Sequence, residues 1–218
     1  GLGLGSLVNR HAGHVDHVRY LVFLAPGLLA ATAMQIGANE AMYPVMAAMK
    51  WLRTYFAMLA SPLQVSDVVV GHLTWIGVRL LLMSVVFTGV MAAFGTVLSP
   101  WAAVAVPAAV LIGIAFAAPI AAFSATQEND NVFAVIYRLG IVPLFLFSGT
   151  FFPVTQLPGW LQAIALATPL YHGASLCRDL TLGQLHPASD LVHGLYLLVL
   201  AAVGVTLAAR SYRRRLVV

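Results

Sequence analysis

The stretch FLFSGTFFPVTQLPGWLQAIALATPLYHG, residues 145–173, is apolar along most of its length and yet contains several helix breakers. A membrane-spanning helix needs about 20 consecutive apolar residues. The breakers divide this stretch into pieces that are too short to cross a bilayer. They are Pro153, Pro158, Gly159 and Pro169.

The composition of the whole chain indicates whether this stretch folds in water or in a membrane. Hydrophobic residues make up 61% and charged residues 8% of the 218 residues, and the mean hydropathy is +0.93. A soluble domain has about 25% charged and about half apolar residues. The chain is therefore an integral membrane protein, and we expect an all-α, polytopic bundle, because a helix satisfies its own backbone hydrogen bonds in lipid.

Five segments are long and apolar enough to predict spanning helices. They are approximately Tyr20 to Ala41, Trp75 to Val97, Trp101 to Ala125, Val132 to Thr150, and Leu191 to Ala209. We treat residues 1–218 as one transmembrane domain.

Basic residues near the ends of these segments predict the orientation, because Lys and Arg are retained on the cytoplasmic side. The C-terminal RSYRRRLVV is the strongest signal and places the C-terminus in the cytoplasm. Counting five crossings backwards puts Lys50 and Arg53 inside, the TQENDN loop inside, and residues 145–173 outside. The start would then be external, so we expect one further helix upstream and six in the intact protein.

The outer stretch is expected to form two short helices, Pro158 to about Ala167 and Pro169 to about Leu180. Thr168 before Pro169 is a typical helix start, with a hydroxyl that caps and a proline that needs no amide partner. Ser99 before Pro100 has the same pattern. We interpret residues 153–180 as a re-entrant external cap that either closes a pathway or shields a substrate exit; a plain interfacial shelf is the alternative.

The inner connection from Pro44 to His72 is longer than a turn requires, and long connections are often functional. We predict a helix over about Trp51 to Leu59, a break, and a new helix that starts at Ser61 and Pro62, with Gln64 completing an S-x-x-Q capping box. This element could dock a soluble partner. An interfacial helix that only anchors the bundle is the alternative.

Two arginines, Arg79 and Arg138, fall within predicted spans. Both are near enough to the inner face for their charged ends to reach the interface. A water-filled path for an anionic group is the functional alternative.

The motifs of several enzyme classes are missing from the sequence. Lys50 is the only lysine and no G-x-x-x-x-G-K-[ST] motif occurs, so any ATP use requires another subunit. Ser84, Ser124 and Ser148 lie in or near spans, but none lies in a G-x-S-x-G elbow, and a serine in a membrane helix usually bonds to its own backbone. We therefore expect a chain that is not an enzyme.

Two further patterns predict structure rather than chemistry. In HAGHVDH, residues 11–17, Gly13 interrupts any helix that would align the histidines and the spacing matches no zinc pattern, so we expect no metal site. Small residues recur every fourth position in the Trp101 to Ala125 segment and predict close packing within the subunit, with a dimer contact as the alternative. They are Gly113, Ala117, Ala121 and Ala125.

With the inner connection and the outer cap identified, the sequence resembles the membrane subunits of type-2 ABC exporters, and among them the nodulation-factor and daunorubicin-type export permeases of bacteria. The segments that carry the resemblance cover well over a third of the chain. They are FLAPGLLAATAM (23–34), EAMYP (40–44), WLRTYFAMLASPLQVSDVVVGHLTW (51–75), and RLGIVPLFLFSGTFFPVTQLPGWLQAIALATPLYHG (138–173).

The resemblance implies a six-helix permease fold in the bacterial cytoplasmic membrane, with an amphipathic helix and a first span that this sequence lacks. It implies that two such subunits pair, identical or related, and that each docks on a separate ATPase subunit that binds ATP and Mg²⁺. This chain would bind no cofactor itself. The coupling region would be about 44–72 and the external gate helices about 153–180.

The resemblance also assigns roles to individual residues. The coupling-helix position corresponds to Ser61, Pro62, Leu63, Val65 and Asp67. The translocation and gate positions correspond to Phe145, Phe151, Phe152, Pro153, Trp160 and Tyr171.

We therefore expect a permease subunit of an ATP-driven exporter of a hydrophobic, lipid-like, glycolipid or drug-like molecule. The aromatic residues of 145–152 suit such a cargo better than a hydrated ion, although aromatic residues at this spacing also serve packing. An ATP-independent membrane channel or carrier is the alternative.

Overall fold

The computed structural model describes residues 20–217, which form eight α-helices and no strands. The helices are α1 (Tyr20–Met46), α2 (Thr54–Leu59), α3 (Val65–Ala93), α4 (Ala102–Ser124), α5 (Asn131–Phe147), α6 (Gly159–Leu166), α7 (Pro169–Leu182) and α8 (Pro187–Leu216). A π-helical turn, Ala47–Trp51, continues α1, and another, Tyr137–Ile141, lies inside α5. The predicted all-α membrane bundle is confirmed.

Four helices, α1, α3, α4 and α8, are long and apolar enough to cross a membrane, and α5 is a shorter apolar helix. All five predicted spans are helical, but their bounds differ from the prediction. Helix α3 begins at Val65, ten residues before the predicted start at Trp75. Most of the predicted inner connection is therefore helical, and its two breaks are short.

Helix α4 lies at the centre of the bundle and packs against α1, α3, α7 and α8. Its small residues explain why so many helices can approach it. A Cβ atom added to Gly37 of α1 would lie 2.2 Å from the carbonyl oxygen of Gly113, so the two backbones meet where neither residue has a side chain. Ala117, Ala121 and Ala125 are also buried. The predicted packing role of this series is confirmed.

Two of the three predicted helix starts are confirmed. The Ser99 hydroxyl accepts a hydrogen bond from the Trp101 amide at 3.2 Å, just before α4. The Thr168 hydroxyl accepts one from the Tyr171 amide at 3.3 Å, at the start of α7.

The third predicted start, at Ser61 and Pro62, is wrong. Ser61 donates its hydroxyl to the carbonyl of Met58 at 2.6 Å and so closes the preceding turn. Helix α3 starts at Val65, where the Gln64 amide donates to the Asp67 carboxylate at 2.8 Å. The acceptor that serves the helix start is thus Asp67, because a carboxylate binds free amides at a helix N-terminus more strongly than a hydroxyl.

Helix α8 connects two ends of the bundle that differ in charge. Near its C-terminus, Tyr212 packs on Tyr55 with ring centroids 5.6 Å apart, and Arg215 pairs with Glu128. Near its N-terminus, the Tyr196 hydroxyl donates to the carbonyl of Ala167 at 2.9 Å. We call the first the basic end and the second the cap end. Residues 61–67 and 158–171 therefore lie at opposite ends of the bundle. The HAGHVDH motif lies outside the described residues.

Candidate functional site

The segment from Ser61 to Asp67 is an exposed turn at the basic end that runs directly into α3. Ser61, Pro62 and Asp67 are exposed, Val65 is half-buried, and the Leu63 side chain is 46% exposed although it is apolar. Leu63 and Asp67 line a groove of about 260 Å³ together with Tyr55 of α2. The five residues predicted for this position all lie within this segment, and two of them, Leu63 and Asp67, line this groove.

The base of this segment is held by aromatic packing. Tyr55 is buried, and its ring lies against Tyr212 of α8 and, at 6.2 Å between ring centroids, against His72 of α3. Burial raises the pKa of the Tyr55 phenol above its ordinary value, so this contact remains uncharged at physiological pH. The exposed turn therefore lies beside a packed aromatic cluster that joins α2, α3 and α8.

An ion pair between Arg79 and Glu40 connects α3 to α1 within the bundle. The side chain of Arg79 is 49% exposed and that of Glu40 is 17% exposed. The sequence analysis did not identify Glu40 as the partner of Arg79, because the antiparallel packing of α1 and α3 brings together residues 39 positions apart. Only the register of the two helices, which the sequence does not reveal, could have identified the pair. Arg138 is exposed.

At the cap end, the turn after α5 is packed rather than open. The rings of Phe145 and Phe151 meet edge to face with centroids 4.9 Å apart. Phe152 is half-buried, and Pro153 is buried. Gly149 has φ = +81°, a left-handed conformation that glycine adopts without strain. These residues form one compact aromatic turn.

The other two predicted gate residues differ from each other in exposure. The Trp160 side chain, at the start of α6, is 68% exposed. Tyr171 is half-buried, with its ring 5.6 Å from the His172 ring and 6.0 Å from the His193 ring. The predicted gate set is thus a packed aromatic turn, an exposed tryptophan and a packed tyrosine.

Arg178 of α7 holds the aromatic turn against α1, and the sequence analysis missed this role. Its guanidinium carbon lies 3.9 Å from the centre of the Phe23 ring. Its Nη2 donates to the Gly149 carbonyl at 3.0 Å, and its Nε donates to the Phe23 carbonyl at 3.4 Å. One side chain therefore joins three elements. The available signal was a single arginine among the apolar residues that lie between His172 and Asp179 of α7.

Two histidines join α7 to α8 at the cap end. His172 Nδ1 and His193 Nδ1 are 2.6 Å apart, and the His172 ring stacks on Tyr196 with centroids 4.2 Å apart. Burial and the neighbouring His193 lower the pKa of His172. The pair shares one hydrogen bond in its neutral form, because one ring nitrogen must donate and the other accept.

An acidic pair lies where α7 ends and α8 begins. Burial, with further contributions from Asp190, raises the pKa of Asp179 to about 6. The Asp190 carboxylate accepts from the backbone amide of His186 at 3.0 Å. Within residues 20–217, no three His, Cys, Asp or Glu side chains are grouped so that they could hold a metal ion.

Two of the serines within the bundle use their hydroxyls in local backbone bonds. Ser84 donates to the Leu81 carbonyl at 3.0 Å, and Ser148 donates to the Leu144 carbonyl. Neither hydroxyl is arranged as a nucleophile, since an activated serine donates its proton to a base.

Comparison with known proteins agrees with this arrangement. Residues 2–182 match the family described as "ABC-2 type transporter". Nodulation protein J of Rhizobium meliloti (strain 1021) is 34% identical over 222 residues, which cover 99% of this chain and 80% of the relative. Nodulation protein J of Rhizobium leguminosarum bv. viciae is 36% identical over 186 residues, which cover 84% of this chain and 70% of the relative.

The family match extends over most of the chain, and these relatives share about a third of its residues across most of their length. Together with the apolar helices, this identifies a multi-pass membrane transport subunit. The chain belongs to the ABC-2 type transporter family, as its resemblance to type-2 ABC permeases implies.

Proposed function

We propose that this chain is the permease subunit of an ATP-driven exporter in the bacterial cytoplasmic membrane, with the basic end and the C-terminus in the cytoplasm. Two separate ATPase subunits bind ATP and Mg²⁺, and a second permease subunit, identical or related, completes the pathway among the membrane lipids. The cargo is a hydrophobic, lipid-like, glycolipid or drug-like molecule. The basic residues at one end support this orientation.

The exposure of Ser61–Asp67 is the observation that carries this proposal. Leu63 is an apolar side chain at the rim of an exposed groove, which is the usual form of a protein docking site. The segment continues into the 29-residue helix α3 without a break, so a displacement of the turn moves a whole span. ATPase closure would reach the bundle by this route.

The cap end supports a role for the aromatic turn in cargo exit. Phe145, Phe151 and Phe152 present apolar rings beside the end of α5, where an amphipathic molecule would leave the bilayer. Trp160 lies exposed at the same end. Aromatic rings of this kind accept apolar cargo without requiring it to lose hydrogen bonds.

The test of coupling is ATPase stimulation in the assembled complex carrying Leu63→Arg or Asp67→Asn. Leu98→Arg is the matched control, because Leu98 is an exposed leucine at the cap end. We expect Leu63→Arg to lower cargo-stimulated ATPase activity about tenfold, because a desolvated charge in a docking site costs about 1.4 kcal/mol or more. Leu98→Arg should leave it within about twofold.

Equal cargo-stimulated ATPase activity in all three variants would show that Ser61–Asp67 takes no part in coupling. Cargo transport by this subunit reconstituted without any ATPase would establish the ATP-independent carrier instead.

The test of the cap uses Trp160, because its exposure allows modification where the packed Tyr171 does not. Trp160→Cys, crosslinked between two permease subunits, should block export, and the uncrosslinked variant should retain it. The chain's one native cysteine, Cys177, is fully buried, so it does not compete for the reagent. Continued export after verified crosslinking would argue against a gate at this position.

A further inference from the structure

A cavity of about 910 Å³ lies at the basic end between Ser61–Asp67 and the last turns of α8. Its walls are partly apolar, from Leu59, Leu63, Val65 and Leu216. Arg210 and Arg213 lie three residues apart on α8 and supply its cationic part. No carboxylate lines it.

The two arginines differ from Lys50 and Arg215 at the same end in having no carboxylate partner. Lys50 and Arg215 both lie beside Glu128. Within residues 20–217, Arg210 and Arg213 form no ion pair with a carboxylate, and both are exposed. The cavity therefore has an unneutralised charge of two guanidinium groups.

The depth of the cavity follows from α8. Arg210 comes twenty residues after Asp190 on one continuous helix, and the helix has no Asp, Glu, Lys or Arg between them. Twenty residues of α-helix rise about 30 Å, which is the thickness of the hydrocarbon core. With Asp190 at one interface, Arg210 and Arg213 lie at the headgroup level of the opposite leaflet.

We propose that this cavity binds the phosphate headgroup of an anionic phospholipid from the leaflet at the basic end. The two guanidinium groups contact the phosphate, and the apolar walls contact the glycerol and the first part of the acyl chains. Basic pockets between helices at this level recognise anionic headgroups. A soluble acidic peptide would satisfy the charges but not the leucine walls. The proposal goes beyond the transport function and does not depend on the cargo.

The bound lipid would bridge two elements, the exposed turn before α3 and the end of α8. Near them, Tyr55 of α2 packs on Tyr212 of α8, and α3 also contacts α8 directly. Lipid composition would thereby influence how firmly the proposed coupling segment is held.

The experiment measures lipids retained by the purified full chain in mixed micelles of detergent with phosphatidylglycerol or phosphatidylcholine, by native mass spectrometry. Arg210→Gln/Arg213→Gln is compared with Arg214→Gln, a neighbouring exposed arginine that does not line the cavity. Each basic residue near a charged surface contributes about fivefold in affinity, so the double variant should lose about 25-fold for phosphatidylglycerol. Arg214→Gln should remain within about twofold.

A second variant tests the apolar walls. Leu63→Ser replaces a leucine that is 46% exposed and lines the cavity, and it should weaken phosphatidylglycerol retention several-fold with both arginines present. An excess of inorganic phosphate should compete only weakly, because it lacks the apolar part.

Three results would overturn the proposal. The first is equal loss in the double variant and in Arg214→Gln, which would indicate unspecific attraction to the helix end. The second is equal retention of phosphatidylcholine or complete displacement by inorganic phosphate. The third is a double variant that retains phosphatidylglycerol as the parent does but no longer binds the ATPase subunit, which would make the cavity a protein contact.

Discussion

Two of the proline-containing breaks in the described chain differ in burial. Ser61–Asp67 at the basic end is exposed, with only Val65 partly covered. Ser148–Pro153 at the cap end is packed, with Ser148, Gly149 and Thr150 buried. Similar helix-breaking residues therefore form an exposed turn at the basic end and a packed turn at the cap end. The difference lies in what surrounds them, because a buried break needs donors for its carbonyls and an exposed one finds water.

The two ends also differ in how their carboxylates titrate. Arg215 and Lys50 hold the pKa of Glu128 below its ordinary value at the basic end. Burial and Asp190 raise the pKa of Asp179 to about 6 at the cap end. Acid therefore weakens the first contact and favours the second.

Of the variants considered, Arg178→Gln should lower the free energy of unfolding the most, because it removes the donor that the buried turn at the cap end requires. The variant loses a cation–π contact with Phe23 and two charged hydrogen bonds. We expect a loss of about 3 kcal/mol in unfolding free energy, measured by thermal unfolding in detergent. Arg214→Gln at the basic end is the control and should change stability by less than about 0.5 kcal/mol. Equal effects would mean that the cap is not held by this side chain.

Glu40→Gln should have the next largest effect, because it leaves the Arg79 charge inside the bundle without its carboxylate. Arg79 is half-exposed, so we expect about 2 kcal/mol rather than the larger cost of a fully buried charge. The double variant Glu40→Gln/Arg79→Gln should recover part of that loss. Strictly additive losses would show that the pair does not join α1 to α3.

The pH dependence of the cap should follow Asp179. Its folded pKa of about 6 lies above the ordinary value of 3.8, so its contribution is full below about pH 4 and is lost as pH rises through about 6. We expect a gain of about 1–2 kcal/mol at pH 4.5 over pH 7.5 from this group. His172, whose pKa is lowered, acts in the opposite sense.

Thermal unfolding of the parent and of Asp179→Asn at both pH values isolates this contribution. The difference between the two proteins should depend on pH with the stated sign. A pH-independent difference would contradict the assignment.

Arg53→Gly should have the smallest effect and tests the basic end. Arg53 has φ = +52° between the π-turn of α1 and α2, a left-handed conformation that costs a non-glycine residue about 1–2 kcal/mol. Glycine relieves this but loses more entropy on folding, so we expect a net gain of about 0.5 kcal/mol. Arg53→Ala keeps the left-handed cost and should show no gain. A loss of stability in Arg53→Gly would mean that the arginine side chain itself supports the turn.

Much of the fold could be predicted from the sequence, because lipid imposes a simple constraint on length and polarity. The segment Trp101 to Ala125 was predicted almost to the residue, since Ser99 marks its start and the TQENDN loop its end. The helix start predicted at Ser61 is wrong because the Ser61 hydroxyl closes the preceding turn on the Met58 carbonyl, while Asp67 accepts from the free Gln64 amide where α3 begins. Local pattern alone does not decide between two competing caps.

The site was less predictable than the fold. The sequence grouped Trp160 with Tyr171, but packing against His172 and His193 separates their environments. The contacts of Arg178 with Phe23 and Gly149 span more than a hundred residues of sequence in one case. Such contacts depend on how the helices cross, and the hydropathy of the sequence does not predict the crossing geometry.

The unequal lengths of the helices have a consequence for the surrounding lipid. Helix α3 has 29 residues and is about 43 Å long, whereas the 17 residues of α5 reach about 25 Å. A hydrocarbon core of about 30 Å is thicker than the length of α5 by about 5 Å, a mismatch that local thinning of the bilayer or snorkelling of flanking side chains would offset. If thinning offsets it, the proposed cargo would meet its lowest barrier at this edge, and transport should respond to the acyl-chain length of the host membrane.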